Sequence, residues 1–254
     1  MAVERMDTAT LETVNRQQTD AANGQSPSGQ LLSDELRAVF KSISPESCPR
    51  QANFHMHTVH SDGCLAPDEL IQQALEIGLG DFAITDHHSI DGYREAKHCL
   101  ERHTQQQPAQ QGDGAEIPRL WVGVEVNAML LDAEVHILCY AFDPDSRVME
   151  PYLQGETVAG DRYLASSVIG AAHEAGGLVV LAHPDRYRRS PAELIPEAAR
   201  LGIDGVETYY AYDNPSPWRP SPKQTAVVHQ LGDEHHLLHT CGTDTHGLNL
   251  LTRL

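Results

Sequence analysis

The stretch Asn53–Gly63 reads NFHMHTVHSDG, and the rest of the chain is organised around it. His55 and His57 lie two residues apart on a segment with strand character, and side chains at this spacing point to the same face of an extended chain. Both imidazoles can therefore reach one cation. The polar residues that follow predict a tight loop, which would bring Asp62 back beside them. Alone, a His-x-His pair is weak evidence for a metal site, because a strand edge with two partly exposed histidines has the same pattern.

Length and composition indicate one large α/β domain. The chain has 254 residues, of which 40% are hydrophobic, and this is enough to form a core. It has no run of 18 apolar residues that would predict a transmembrane helix. The N-terminus carries Glu4 and Asp7 and lacks the apolar stretch of a signal peptide. Five scattered cysteines without a Cys-x-x-Cys motif predict reduced thiols in a cytoplasmic protein.

The charge balance limits the class of partner. A net charge of −18 argues against a broad basic surface for duplex DNA. It leaves open an anionic substrate, since bound metal ions can reverse the local field. The 15 histidines are many for this length, and their placement requires an explanation.

The first 50 residues predict a polar N-terminal extension to a domain that covers residues 51–254. Residues 1–30 are rich in Gln, Thr, Asn and Ser, and we expect them to be mostly disordered. Residues 31–43 carry apolar side chains at helical spacing and predict a helix. Residues 104–117 are low in complexity and predict a mobile surface loop.

After residue 51, strand patterns and helical patterns alternate about seven times. Strands are predicted at 52–57, 81–85, 120–126, 134–141, 178–182, 203–208 and 237–241. This alternation implies parallel strands with helical crossovers, and the polar clusters follow the strands, where α/β barrels place their active sites. An open doubly wound sheet is the alternative, but it predicts one crevice at a switch point.

Histidines and carboxylates recur near the predicted strand ends. These candidate ligands are His55, His57, Asp62, His87, Glu125, His136, His183, Asp244 and His246. Six imidazoles and three carboxylates, without a thiolate, suit Zn, Mn or Fe. Nine donors are too many for one ion, whereas a bridging carboxylate would let two or three ions share them.

The motifs around these residues resemble those of the polymerase and histidinol phosphatase (PHP) domain family. The matching segments are HMHT at 55–58, SDG at 61–63, ITDH at 84–87, GVE at 123–125, VHI at 135–137, AHP at 182–184 and GTDTH at 242–246. The resemblance covers residues 52–247 and implies a distorted (β/α)7 barrel with a trinuclear site at the C-terminal ends of the strands. The segment His183–Tyr187 resembles the branch that contains 3′,5′-nucleoside bisphosphate phosphatases and RNA 5′-end trimming enzymes.

The resemblance also implies a ligand set for each ion. The first ion would bind His55, His57, Glu125 and Asp244. The second would bind Asp62, His87 and His246. The third would bind Glu125, His136 and His183, with Glu125 as the bridge. Two features depart from the family pattern: His88 stands where the family often has Asp, and only residues 143–176 separate the fourth strand from the His183 strand, so we expect a shortened cap over the site.

The implied activity is that of a metal-dependent phosphoesterase, a hydrolase that acts on phosphoric ester bonds with a metal-activated hydroxide. It would use two or three divalent ions, Mn, Zn or Fe, on a small phosphorylated substrate. A 3′,5′-nucleoside bisphosphate is the leading candidate, followed by another phosphomonoester such as histidinol phosphate. The alternatives are a 5′–3′ exonuclease on short RNA ends and a non-catalytic metal-binding module. No membrane partner is expected.

Several further residues are candidates for substrate contacts. Arg186 suits a phosphate because its guanidinium fork binds two oxygens at once, and Tyr187 would contact the substrate beside it. His88 is a candidate acid for the leaving group. Asp86 is a candidate for orienting an imidazole. Four side chains follow a strand end and fit either a base-stacking wall or ordinary packing: Glu207, Tyr209, Tyr210 and Trp218.

Overall fold

The computed structural model describes residues 27–106 and 117–254, and the expectations for residues 1–26 and 107–116 lie outside them. Its strands are β1 (Ala52–Asn53), β2 (Asp81–Ile84), β3 (Arg119–Leu130), β4 (Ala133–Tyr140), β5 (Leu178–Leu181), β6 (Gly205–Tyr209) and β7 (Leu238–Cys241). Its α-helices are α1 (Pro27–Phe40), α2 (Pro67–Ile77), α3 (Asp91–Gln106), α4 (Ala165–Glu174), α5 (Pro191–Arg200) and α6 (Pro222–Glu234). Short 3₁₀ turns occur at Glu150–Tyr152, Gly160–Tyr163 and Pro184–Arg186. None of the helices in these residues is long and apolar enough to cross a membrane.

The seven strands form one sheet in chain order, and its two edges meet. Strands β1, β2 and β3 are parallel, as are β5, β6 and β7, while β4 is antiparallel to both of its neighbours. Beyond β1 and β7 the chain continues the pairing, since Phe54 donates its N–H to the Cys241 carbonyl at 3.0 Å. Met56 also pairs in parallel with Thr245. The sheet is therefore nearly closed, which confirms the expected distorted barrel.

The expected β–α alternation is wrong between β3 and β4. A turn at Leu131 and Asp132 joins them, with Leu131 in the left-handed region (φ 56°), and Leu130 pairs with Ala133. Such a short connection can only join antiparallel strands, because a parallel crossover needs a dozen or more residues. As a result β4 runs against the other strands, and its His136 lies mid-strand, opposite Asn127 of β3.

Helix α1, part of the predicted extension, packs on the barrel. Leu36 and Phe40 are fully buried, and the Phe40 ring meets Phe54 edge-on at 4.9 Å and Tyr140 at 5.6 Å. The Tyr140 hydroxyl donates to the Phe54 carbonyl at 2.7 Å. These aromatic contacts join α1 to the segment that leads into His55 and His57.

We expect Phe40→Ala to lower the free energy of unfolding by about 3 to 5 kcal/mol, because it removes a buried ring and leaves a cavity. Leu32→Ala is the matched control on the same helix. Leu32 is 43% exposed, and its truncation should change stability by no more than about 0.5 kcal/mol. Urea denaturation followed by circular dichroism measures both. Equally small effects would show that α1 does not dock in solution.

Candidate metal centre

The buried carboxylate of Glu125 lies at the centre of the predicted ligands. Three imidazole nitrogens face its Oε2 atom: His55 Nε2 at 3.0 Å, His57 Nε2 at 3.1 Å and His87 Nε2 at 3.5 Å. Two face its Oε1 atom: His136 Nδ1 at 2.8 Å and His183 Nε2 at 3.3 Å. Each oxygen thus has its own group of imidazoles, an arrangement that suits a carboxylate shared between ions.

Asp244 completes the first predicted ligand set. Its Oδ1 atom lies 3.4 Å from His55 Nε2 and 3.2 Å from His57 Nε2. The donor atoms of these three residues and Glu125 lie close enough together to bind one ion, and all four residues are buried. The described structure therefore brings together the four side chains that the family resemblance implies for the first ion.

The second predicted set lies on the open side of the same cavity. Asp62 Oδ2 is 3.1 Å from His246 Nε2 and 3.8 Å from His87 Nε2. His57 joins this group, since its Nδ1 lies 3.5 Å from Asp62 Oδ1. The side chain of Asp62 is 55% exposed, so this end of the centre is open to solvent.

The third predicted set is matched only in part. Glu125 and His136 form a possible ligand group with His87, where His183 was expected. His183 lies beside this group, with its imidazole 5.3 Å from that of His136. Its backbone adopts a positive φ of 25°, and its buried Nδ1 atom makes no hydrogen bond. The assignment of His183 to a third ion remains a prediction.

Unsatisfied nitrogens in the cavity support metal binding. His57 Nε2 is buried and makes no hydrogen bond, although oxygens of Glu125 and Asp244 lie near it. A buried polar atom without a partner is costly, and a divalent cation between the nitrogen and the two oxygens would satisfy all three. The donor set of imidazoles and carboxylates fits Zn, Mn or Fe.

When no metal is bound, burial and neighbouring charges shift the pKa values of the residues in the centre. Burial lowers the pKa of His57, but the nearby carboxylates of Asp244 and Glu125 outweigh it and raise the pKa to about 9. Burial dominates at His87 and lowers its pKa to about 4. Burial would raise the pKa of Glu125, yet the charges of the surrounding imidazoles hold it well below the usual value.

Glu207 orients the imidazole of His55, one of the ligands predicted from the sequence. It is fully buried, its Oε1 accepts a hydrogen bond from His55 Nδ1 at 3.0 Å, and its Oε2 accepts the His183 backbone N–H at 2.9 Å. A carboxylate on one ring nitrogen fixes the tautomer and directs the other nitrogen to the metal. Of the two alternatives that the sequence left open for Glu207, a base-stacking wall and ordinary packing, its full burial fits packing. Tyr209 and Trp218 also pack in the core.

Asp86 holds the loop of the first motif. Its carboxylate accepts hydrogen bonds from the Thr58 N–H at 2.7 Å, the Thr58 hydroxyl at 2.6 Å and the Ser61 hydroxyl at 2.7 Å. A Cβ at Gly92 would lie 2.1 Å from this carboxylate, so only glycine fits there. Asp86 therefore orients the loop that presents Asp62, and these hydrogen bonds go to the loop rather than to an imidazole as the sequence had suggested.

Two glycines let the ligand-bearing segments approach each other. A Cβ on Gly242 would lie 2.2 Å from the Cβ of His55, and a Cβ on Gly63 would lie 2.5 Å from the carbonyl carbon of His57. Both distances are too short for any side chain. Gly242 is thus required where the segment after β7 packs on His55, and Gly63 is required where the loop of the first motif folds back on His57.

A cluster of donors holds the outer oxygen of Asp244. Its Oδ2 atom accepts hydrogen bonds from the Tyr210 hydroxyl at 2.6 Å, Arg253 Nε at 2.8 Å and Arg186 Nη1 at 2.9 Å. Oδ1 is thereby left facing His55 and His57. Arg253 was missed by the sequence analysis, because it lies in the irregular segment after the GTDTH motif and matches no motif. Arg186 is 39% exposed, and its guanidinium has further donors for an anion.

His88 and Tyr187 lie beside the cluster. His88 Nε2 accepts the Asn127 backbone N–H at 3.3 Å and lies 3.3 Å from the Thr157 hydroxyl, while burial lowers its pKa. The Tyr187 hydroxyl accepts the His136 backbone N–H at 2.7 Å, and its ring lies 5.4 Å from that of His183. These contacts hold the segments that carry the predicted ligands. The proposed substrate roles of His88 and Tyr187 remain predictions.

Comparison with known proteins confirms the resemblance to the PHP domain family, whose model matches residues 53–174. The chain is 25% identical over 202 residues to the 5′–3′ exoribonuclease Rnm of Escherichia coli and 25% identical over 226 residues to the Rnm of Salmonella typhimurium. These alignments cover 74% and 83% of this chain but only 64% and 69% of the relatives, so the chain spans about two thirds of their length.

A solved structure shares the fold. It is described as a metal-dependent phosphoesterase from Bifidobacterium adolescentis, and it superposes with a TM-score of 0.60 at 24% identity. The match covers 78% of this chain and 89% of that one. At this identity the likeness shows the barrel fold alone.

We expect divalent metal ions to bind more tightly as the pH rises from 6.5 toward about 9. In the metal-free protein His57 keeps its proton up to a pH of about 9, and a metal ion must displace that proton to bind. Binding therefore releases protons, and acid weakens it. Isothermal titration calorimetry in two buffers with different ionisation enthalpies counts the released protons. An affinity independent of pH, with no proton release, would contradict this assignment of charge.

Proposed function

We propose that this chain, which carries a PHP domain over residues 53–174, is a metal-dependent phosphoesterase that acts on small nucleotide substrates. The observation that carries the proposal is the position of Glu125. Its two oxygens face different imidazoles, so one buried carboxylate can join two or three ions. When bound, such ions lower the pKa of a coordinated water and neutralise charge on the phosphoryl oxygens.

The protein residues divide the remaining tasks. Glu207 keeps the Nε2 atom of His55 directed into the cavity, where Asp244 faces the Nε2 atoms of both His55 and His57. Asp62, the most exposed of the predicted ligands, marks the side on which a substrate can enter. No serine or cysteine nucleophile is needed in this scheme, because the attacking oxygen comes from water.

Arg186 supports a substrate with two phosphates. It lies on the turn that leaves β5, three residues after His183, and it reaches the outer oxygen of Asp244 at 2.9 Å. A phosphoryl group at the metal centre and a second phosphate on the guanidinium describe a 3′,5′-nucleoside bisphosphate. Hydrolysis of its 3′-phosphate, with the 5′-phosphate on Arg186, is our leading proposal.

A second candidate has the same recognition chemistry. The two relatives reported above are named 5′–3′ exoribonucleases. A short RNA with a 5′-phosphate presents the same anchor and a phosphodiester in place of the 3′-phosphate. A net charge of −18 favours short ends over long RNA tracts, because it opposes binding along a polyanion. Another phosphomonoester, such as histidinol phosphate, lacks the second anchor and ranks below both.

We expect Glu125→Gln to reduce hydrolysis at least about a hundredfold. The amide keeps the size of the side chain but removes the charge that would hold the ions together. Loss of a residue that only orients a metal ligand costs about 10 to 100-fold, so loss of the shared carboxylate should cost at least as much. Elemental analysis of the same samples should show fewer metal ions per chain. Glu76→Gln, on the exposed face of α2, is the matched control. Near-normal turnover with a full metal content would show that Glu125 does not bridge.

We expect Arg186→Ala to lower kcat/KM for a 3′,5′-bisphosphate by an amount equivalent to about 2 to 4 kcal/mol of lost transition-state stabilisation. This is the usual effect of removing one partner of a charged contact. Hydrolysis of a small activated phosphomonoester should fall less, because that substrate has no second phosphate. Arg188→Ala is the control, since Arg188 is mostly exposed and pairs with Asp132.

The ratio of the two losses separates the possible roles of Arg186. Equal losses on both substrates would mean that Arg186 acts through Asp244 or on the reacting phosphate. No loss on either substrate would remove Arg186 from the site. In both cases the bisphosphate proposal would lose its anchor, whereas the phosphoesterase proposal would still stand on Glu125.

A further inference from the structure

A second group of possible metal ligands lies away from the candidate centre. It consists of His229 and Asp233 on α6 and His239 on β7. His239 is the second residue of β7, at the opposite end of that strand from Asp244. The five residue-to-residue steps between these positions span up to about 16 Å of extended chain, so the two sites are separate.

The ligand atoms of this group lie close together, because both imidazoles contact the Asp233 carboxylate. His229 Nδ1 lies 3.1 Å from Asp233 Oδ2, and His239 Nε2 lies 3.1 Å from Asp233 Oδ1. Ligand atoms about 2.0 to 2.2 Å from a tetrahedral zinc ion are about 3.3 to 3.6 Å apart. The two imidazoles contact different oxygens of Asp233, so the side chains have to rearrange locally to share one ion. The helix supplies two of the ligands at i and i+4, which lie on the same face.

The two imidazoles are arranged face to face. Their ring centroids are 4.3 Å apart with only 9° between the planes. A metal ion lies in the plane of each imidazole that binds it, so His229, whose side chain is 42% exposed, has to turn out of this stack for both rings to bind one ion. Two imidazoles and one carboxylate give a negatively charged donor set that attracts a divalent cation.

The surroundings of His239 support its role as a ligand. Its Nδ1 atom lies 2.7 Å from the Thr208 hydroxyl on β6, a contact that fixes the ring and leaves Nε2 directed at Asp233. Gly232 makes room for the ring, since a Cβ there would lie 2.6 Å from His239 Cε1. A glycine inside α6 weakens the helix by about 1 kcal/mol relative to alanine, and the packing of His239 explains why it is there.

We infer that His229, Asp233 and His239 bind a divalent transition-metal ion, with zinc as the best match and water in the fourth position. The side chain of Asp233 is 64% exposed, which leaves room for that water. The ion would fasten α6 to β7, the strand that leads directly into Asp244 and His246. In α/β barrels the N-terminal end of a strand serves stability, so this site is structural and independent of the proposed phosphoesterase activity.

Counting zinc ions in matched variants tests this inference. The full chain, stripped with a chelator and reloaded with zinc, is freed of unbound metal and analysed by elemental analysis. We expect His229→Ala and Asp233→Asn each to contain one fewer zinc ion per chain than the natural protein. His235→Ala is the control, because His235 closes the same helix but is outside the ligand group.

Two further measurements distinguish this site from the candidate centre. Zinc should raise the melting temperature of the natural protein more than that of the His229→Ala variant, because binding to the folded state stabilises it. Hydrolysis by the zinc-loaded variants should remain unchanged. Gly232→Ala, which crowds the His239 ring, should also lose the additional ion.

The outcomes are decisive in either direction. Equal zinc contents in the natural protein, His229→Ala and Asp233→Asn would overturn the inference and leave a hydrogen-bonded surface cluster. An equal loss in His235→Ala would also overturn it, because it would indicate adventitious binding by surface histidines. If zinc is lost together with all hydrolysis, the ion belongs to the candidate centre and a separate structural site is refuted.

Discussion

The burial of one carboxylate, Glu125, among five imidazoles is the constraint on which the rest of the structure depends. An isolated buried charge is far too costly to survive in a barrel interior, and it is tolerated here because both oxygens face ring nitrogens. Those rings come from four separate segments of the chain, since His55 and His57 share one. The barrel must therefore close, with the segment after β1 paired to the segment after β7, before the carboxylate finds its partners.

The surroundings of the centre are organised to orient its ligands. Glu207 fixes His55, Asp86 fixes the loop that carries Asp62, and Tyr210 with Arg253 fixes the outer oxygen of Asp244. Each of these contacts uses the part of a ligand residue, or of its loop, that faces away from the cavity. Hydrogen bonds within the chain thus leave the inner ligand atoms free for metal ions. Such bonds are how a protein orients an imidazole or carboxylate for metal binding.

The two ends of β7 present different chemistry. At its C-terminal end lie Asp244 and His246, beside the proposed reaction centre, and near its N-terminal end lies His239, stacked on His229. This division agrees with the general arrangement of α/β barrels, in which one end carries the reaction and the other stabilises the fold. The acidic chain can serve an anionic substrate because the positive field is local, supplied by ions and by Arg186.

The sequence by itself determined the barrel class and the nine candidate ligands, since strand periodicity and the His and carboxylate motifs are local patterns. The expected parallel arrangement of β3 and β4 was wrong, because a two-residue turn at Leu131 and Asp132 reverses the chain between them. Only the tertiary structure decided the roles of Glu207 and Arg253, and it alone brought His239 beside His229. These residues act through contacts between distant segments, and no local spacing records which segments will meet when the barrel closes.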